Sequence, residues 1–251
     1  MNTAPRGTRC SFKHNNMKKH IYTFALFLLL GLGTVIAQNG LEKFQTLMAK
    51  TEAYYQEREH YTYDVSYAFY NEGTAIPAEE LTGKVHKNGK HYYSKIGNTE
   101  FLYAAHEFVK VNHDEQAILY SSIEETQNFT PVQLNGLMGH FERIKTIKKG
   151  NEIRCEITFK KNPSMPYSGM SLVLDAKTHA LKKQELFLLE GKVYPWMSSG
   201  LKRTEAGKIA ISFREKETEK QGIKISNYID KSSGIALTQQ FNNYKLYNTT
   251  L

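Results

Sequence analysis

The chain has 251 residues, with 33 Lys and Arg against 25 Asp and Glu, a formal net charge of +8, nine His and two Cys. The first 37 residues hold five of those bases (Arg6, Arg9, Lys13, Lys18, Lys19) and no acid, so the remainder carries 28 bases to 25 acids, a net charge of +3. A balance that even, with both signs interleaved, is not the electrostatic footprint of a nucleic-acid-binding protein, and no nucleic-acid partner is expected.

From Met17 the segment MKKHIYTFALFLLLGLGTVIAQ has a basic start, an apolar run over residues 21–32, and Val35 and Ala37 at the −3 and −1 positions of a cleavage site. That is the pattern of a secretory signal peptide cut between Ala37 and Gln38. Its apolar run is shorter than the ~20 residues a spanning helix needs, so the mature chain is not expected to cross a membrane. Residues 1–16 precede a natural start at Met17. Removing residues 1–37 also removes Cys10, which leaves Cys155 alone and permits no internal disulfide. No Cys stands at the cleavage site to carry a lipid anchor. Residues 38–251 are long enough for one domain with its own core, and no linker or low-complexity stretch divides them.

Residues 41–59 read as an amphipathic helix, with Leu41, Phe44, Leu47, Met48, Tyr54 and Tyr55 on one side. Tyr61, Tyr63, Val65, Tyr67 and Phe69 then alternate with smaller or polar residues, the period of a half-buried strand. Residues 83–121 form a meander of four short strands, with Asn88-Gly89 the strongest hairpin signal and a second polar turn over residues 112–116. Thr130-Pro131-Val132-Gln133 has the pattern of a helix N-terminus, and Val132, Leu134, Leu137, Met138 and Phe141 would give a helix over residues 130–140 one apolar side. Hairpins resume over residues 141–159, 169–189 and 208–229, and a tight turn over residues 230–234 leads into a strand over 235–241. Residues 194–207, with Pro195 and the sole Trp, Trp196, read as a loop. Ten to twelve antiparallel strands with two helices make an α+β fold, a strongly curved antiparallel sheet wrapping an N-terminal helix and a short lid helix.

Chemistry is sparse in this pattern. Cys155 alternates with Ile153, Ile157 and Phe159 and so belongs to the apolar face, where a thiol is a small hydrophobe rather than a nucleophile. His86, His91, His106 and His113 lie along the meander as solvent-facing strand residues, with no metal-ligand spacing. No Gly-x-Ser-x-Gly occurs, and Ser199-Gly200 falls in a loop. Glu79-Glu80 and Glu124-Glu125 are adjacent pairs, which a strand would point to opposite faces. A non-enzymatic protein with no cofactor and no metal is expected.

The aromatic load is high, with 16 Tyr and 13 Phe. One reading is that these rings fill the core between sheet and helix. The other is that they line an apolar cavity beneath a lid. Acyl chains would suit such a cavity, because each buried CH₂ contributes ~0.8 kcal/mol without needing a directional partner. The candidate lining is Tyr63, Val65, Tyr67, Phe69, Phe108, Leu134, Leu137, Met138 and Leu172.

The order of elements resembles the LolA-like periplasmic lipoprotein carriers and outer-membrane lipoprotein-sorting proteins. Residues 41–59 look like their first helix, residues 61–121 like the first part of their sheet, and residues 130–140 like their lid. Met170 to Asp175 and Leu181 to Leu186 are similar to their strand, Asp-containing turn, strand pattern. The chain departs from them in ending Tyr247-Asn-Thr-Thr-Leu251 without a Pro- and Gly-containing strand. It also has no Arg in residues 61–69 to serve as their lid-locking Arg, Arg58 ending the helix before. The resemblance implies an open half-barrel over residues 38–251, a periplasmic location, and a lipid or lipoprotein acyl chain as guest. The alternative is a structural component of the cell envelope, its barrel filled and its outer face docking an envelope protein.

Overall fold

The computed structural model describes residues 40–123, 130–132, 134, 136–161, 166–189, 207–217 and 223–249. The signal segment, Glu124 and Glu125, and the loop with Trp196, Ser199 and Gly200 lie outside the described residues. Helix α1 occupies residues 40–56, and Phe44, Leu47, Thr51 and Tyr55 form its buried stripe at three- and four-residue steps. The Thr51 hydroxyl donates to the Leu47 carbonyl, which satisfies the one polar group in that stripe. Among the described residues no helix is long and apolar enough to cross a membrane.

The strands follow in chain order as β1 (His60–Asn71), β2 (Glu79–Asn88), β3 (His91–Ile96), β4 (Thr99–Ala104), β5 (Glu107–Asn112), β6 (Ala117–Ser122), β7 (Phe141–Lys149), β8 (Glu152–Phe159), β9 (Tyr167–Asp175), β10 (Leu181–Leu188), β11 (Gly207–Lys216), β12 (Ile229–Asp230), β13 (Ala236–Leu237) and β14 (Lys245–Asn248). Twelve of them make one open sheet in the order β14-β6-β5-β4-β3-β2-β1-β11-β10-β9-β8-β7, while β12 and β13 pair separately. All neighbours in the large sheet are antiparallel except β14, which lies parallel to β6. The large antiparallel sheet and the N-terminal helix thus agree with the expected fold class.

Two-residue loops set the register of the meander. Ile96 pairs with Thr99 and Ala104 with Glu107 across such loops, as Asn88 pairs with His91 around Gly89 and Lys90. Gly89, Gly97 and Ala105, each the first loop residue, have φ of 59°, 55° and 49°. Positive φ at that place matches the twist of the flanking strands. The first hairpin is therefore centred one residue later than Asn88-Gly89, and the stretch from residue 83 to 121 holds parts of five strands rather than four.

Two expected elements differ. Among the described residues 130–140 there is no α-helix, only a 3₁₀ turn at Met138–His140. Thr130 spends its hydroxyl donating to the Val132 carbonyl, and Gly136 has φ +80°, a left-handed residue that ends any helix started before it. The strands expected over 223–229 and 235–241 are interrupted by 3₁₀ turns at Ile225–Asn227 and Gln239–Phe241, and only the two-residue strands β12 and β13 are extended there. Ile225, Tyr228, Ile229 and Phe241 pack onto the sheet instead of alternating, while Ile235 stays exposed. The turn between them is as expected, with Ile229 opposite Leu237 and the Asp230 carboxylate accepting from the Ser232 amide.

Because side chains alternate along a strand, the register assigns every residue to a face. One row runs Glu215, Tyr63, Val85, Ser94, Phe101, Lys110, Leu119 from β11 to β6. This is the helix face. Under α1 it carries a core of Phe44, Tyr55, Tyr61, Tyr63, Val65, Val85, Phe141, Cys155, Ile157, Met170, Leu172 and Leu174. Cys155 is fully buried there, and burial pushes its thiol up. The opposite face of β3–β6 carries a second core, where Tyr93, Leu102, Val109, Val111, Ile118 and Tyr120 meet Ile225, Tyr228, Ile229 and Phe241 of the C-terminal segment.

A buried polar chain ties that segment down. Glu100, 7% exposed, accepts from the Tyr228 hydroxyl, and its other oxygen lies 2.9 Å from His113 Nε2. His113 Nδ1 in turn lies 2.9 Å from the Tyr244 hydroxyl. Neither His113 nor His86 is the solvent-facing residue expected of it. His86 is 4% exposed, with Nδ1 2.9 Å from the Thr62 hydroxyl. Both contribute to buried packing on the face away from α1.

Glu185 is the comparable buried carboxylate of the other half of the sheet. Burial opposes its ionisation, but Lys208 and Lys183, each 3.0 Å from Oε1, outweigh that and hold its carboxyl below the usual range.

Both carboxylates can be tested by substitution. Tyr228→Phe is expected to lower stability by about 1–3 kcal/mol in urea denaturation, since it strips a donor from buried Glu100. It should also speed proteolytic cleavage within residues 223–249; unchanged cleavage would mean that the bond does not hold the segment. For Glu185 the folded-state pKa is depressed, so its contribution is present above the unfolded value of about 4.3 and is lost as pH falls through the folded one. Glu185→Gln is expected to cost about 1 kcal/mol at pH 7 and to flatten the acid limb of stability below about pH 4.5. An acid limb as steep as that of the wild type would contradict this.

Candidate functional site

The helix face is covered unevenly. Under α1 it is closed by aromatic packing: Phe44 meets Phe141 edge-on at 5.8 Å, and Tyr55 meets Tyr61 and Tyr63 at 5.5 and 6.1 Å. The Tyr55 hydroxyl accepts from the Leu181 amide, so the helix is hydrogen-bonded to β10 as well as packed on it. At the end of α1 the Arg58 guanidinium donates to the Tyr54 hydroxyl at 2.5 Å, to the Tyr63 hydroxyl at 3.2 Å and to Glu215 at 2.5 Å. Burial would lower the Arg58 pKa, but the Glu215 carboxylate and the phenols outweigh it. Desolvation pushes the Tyr55 phenol up to about 12 and raises those of Tyr61 and Tyr63 as well, so all three are neutral at physiological pH.

Beyond the helix the same face changes character. The row Tyr61, Lys87, Tyr92, Tyr103, Phe108, Ser121 runs from β1 to β6. Its first member is fully buried, whereas Tyr92, Tyr103 and Phe108 are half-buried. Tyr92 and Tyr103 have ring centroids 6.3 Å apart, and Tyr103 and Phe108 4.7 Å apart, which makes a continuous aromatic ridge. Phe101 on β4 and Leu119 on β6, both half-buried, extend it by one row. Burial raises the phenols of Tyr92 and Tyr103. This ridge is an apolar strip continuous with the core, and its rings are positioned by strands rather than by loops.

The nine residues expected to line a cavity are dispersed over this architecture. Tyr63, Val65 and Leu172 are at most 2% exposed and lie inside the packed core, where Leu134 is also buried. Tyr67 and Leu137 pack at its margin. Phe69 belongs to a small separate cluster with Leu188 and Ile209, and Met138 is 40% exposed. Of the nine, Phe108 alone stands on the aromatic ridge. Tyr92, Phe101, Tyr103 and Leu119 were not among them, although counting across the two-residue loops would have placed Tyr92, Tyr103 and Phe108 side by side.

The described residues also form clefts away from the ridge. One of about 490 Å³ lies between the C-terminal segment and β3–β5, lined by His91, Glu107, Ile225, Ile229, Asp230 and Lys231. Its central charges are already paired, since the Lys231 ammonium donates to Glu107, which also accepts from the Tyr120 hydroxyl at 2.5 Å. Among the described residues no three His, Cys, Asp or Glu converge as metal ligands.

No protein-family model matches the chain, and no curated protein does. Solved structures do match. An uncharacterized conserved protein from Thermus thermophilus shares 7% identity over 82% of this chain and 99% of its own, with a TM-score of 0.42. A LolA superfamily protein from Nitrosomonas europaea shares 10% over 72% and 94%, with a TM-score of 0.32. A putative outer membrane lipoprotein-sorting protein domain from Vibrio parahaemolyticus shares 12% over 76% and 96%, with a TM-score of 0.34.

Core and ridge are expected to respond differently to truncation. Leu172→Ala should cost about 2–5 kcal/mol in chemical denaturation, and Phe108→Ala under about 1.5 kcal/mol. Equal costs would place Phe108 in the core and remove the ridge as a site.

Proposed function

We propose that this chain is an exported, non-enzymatic protein that binds the apolar chain of an amphiphile, a lipid or the acyl group of a lipoprotein, on the ridge Tyr92, Tyr103, Phe108 with Phe101 and Leu119. The observation that carries this is the half-exposed aromatic row lying on the same face as the core and continuous with it. Single apolar side chains are ordinary on a surface, but a contiguous aromatic strip is the usual mark of a binding face. An extended alkyl chain laid across it would bury CH₂ groups at ~0.8 kcal/mol each. The buried cluster under α1 supports a guest beside the helix rather than beneath it. Export through cleavage after Ala37 and a periplasmic location belong to the same proposal.

A second reading has its own support. A filled interior is what a structural envelope component would have, and the large buried cluster under α1 supports that reading. On that reading the ridge would dock an apolar segment of an envelope protein.

The two readings separate on a neutral probe. N-phenyl-1-naphthylamine is expected to bind the mature protein with enhanced fluorescence, to be displaced by a long-chain amphiphile, and to bind about tenfold more weakly to Tyr103→Ser/Phe108→Ser with unchanged circular dichroism. Absence of binding, or undiminished binding to the double variant, would contradict the ridge as a lipid site.

A further inference from the structure

The helix face of β3–β6 comprises Tyr92, Ser94, Ile96, Thr99, Phe101, Tyr103, Phe108, Lys110, Asn112, Ala117, Leu119 and Ser121. Lys110 is its one charged residue. The face opposite it holds Glu100 and Glu107, so the acids of these strands have been sorted away from the ridge. Lys110 stands directly across from Phe101 on β4 and from Leu119 on β6, half-buried, with its ammonium 5.9 Å from the Phe101 ring centroid. Among the described residues it makes that ring contact and no ion pair or hydrogen bond. On β14 the same face continues with Lys245 and Tyr247, again without an acid. By contrast Lys87, the cation nearer the helix, already donates to the Tyr55 carbonyl at 2.9 Å.

A lone ammonium half-sunk among rings, with no carboxylate on that face of β3–β6, favours a negative group brought to it by a guest. Resting on the amphiphile-binding reading above, we propose that the ridge is selective for anionic amphiphiles and that Lys110 receives the head group, with the chain lying over Tyr103, Phe108 and Tyr92. The chemistry recognised is a carboxylate at the end of a long alkyl chain. Partial removal of water strengthens such a pair beyond an exposed surface bridge, and the flexible lysine stem lets the ammonium meet the head while its methylenes stay on the ring.

The test compares oleate with oleyl alcohol, matched in chain and differing in the head, as competitors for N-phenyl-1-naphthylamine on the mature protein. Oleate is expected to compete about tenfold better, and the advantage should shrink at high salt. In Lys110→Met the ratio of the two should fall to within about twofold, and in Lys110→Arg the preference for oleate should return. Equal competition by both on the wild type, or an oleate preference that survives Lys110→Met, would overturn the assignment while leaving amphiphile binding intact. If neither competes, this inference falls together with the reading it rests on.

Discussion

One helix cannot cover twelve strands, and most of this architecture follows from that shortfall. The 17 residues of α1 reach about 25 Å along the axis, and its side chains add about 10 Å. That is roughly seven strand spacings at about 4.8 Å each. The core beneath the helix draws on β7–β11, β1 and β2, with Tyr92 of β3 at its margin. Strands β3–β6 lie beyond its reach. Their burial comes instead from the C-terminal segment, on the other side of the sheet.

The sheet is consequently buried on opposite faces in its two halves, and each arrangement has its own polar ties. Under α1 these are Tyr55 to the Leu181 amide and Arg58 to Tyr54, Tyr63 and Glu215. On the far side they run through Glu100 and His113 to Tyr228 and Tyr244. A carboxylate as buried as Glu100 persists because both of its oxygens are engaged. Closing the far face leaves the helix face of β3–β6 half-open. Small polar residues would have made it an ordinary solvated surface, as on much of an antiparallel sheet. It carries Tyr92, Phe101, Tyr103, Phe108 and Leu119 instead, with one cation and no acid, and a functional reading begins there.

Much of this was legible in the sequence. The period of α1, the alternation of β1, the hairpins near Gly89 and Gly150, and the inward placement of Cys155 follow from local rules, and local rules decide them. Where long-range packing decides, the reading went astray. Residues 223–241 carry strand-like apolar spacing, yet Ile225 and Phe241 fall in 3₁₀ turns, with Tyr228 just after the first, because an existing sheet face is there to receive them. Residues 130–133 carry a good helix start, but Gly136 in the left-handed region stops it within a turn. The ridge was within reach, since two-residue loops fix the register that aligns Tyr92, Tyr103 and Phe108. Which stretch of that face α1 leaves open depends on where the helix docks, and no local pattern contains that.

A guest held on the ridge should lie against β3–β6 and not beneath α1. A fatty acid carrying a spin label on its chain tests this placement most directly, through paramagnetic broadening of assigned backbone amides. The account predicts broadening confined to β3–β6 and β14, with the amides of Cys155, Leu172 and Leu174 unaffected. Broadening centred on β8 and β9 beneath α1, or spread evenly over the protein, would contradict it.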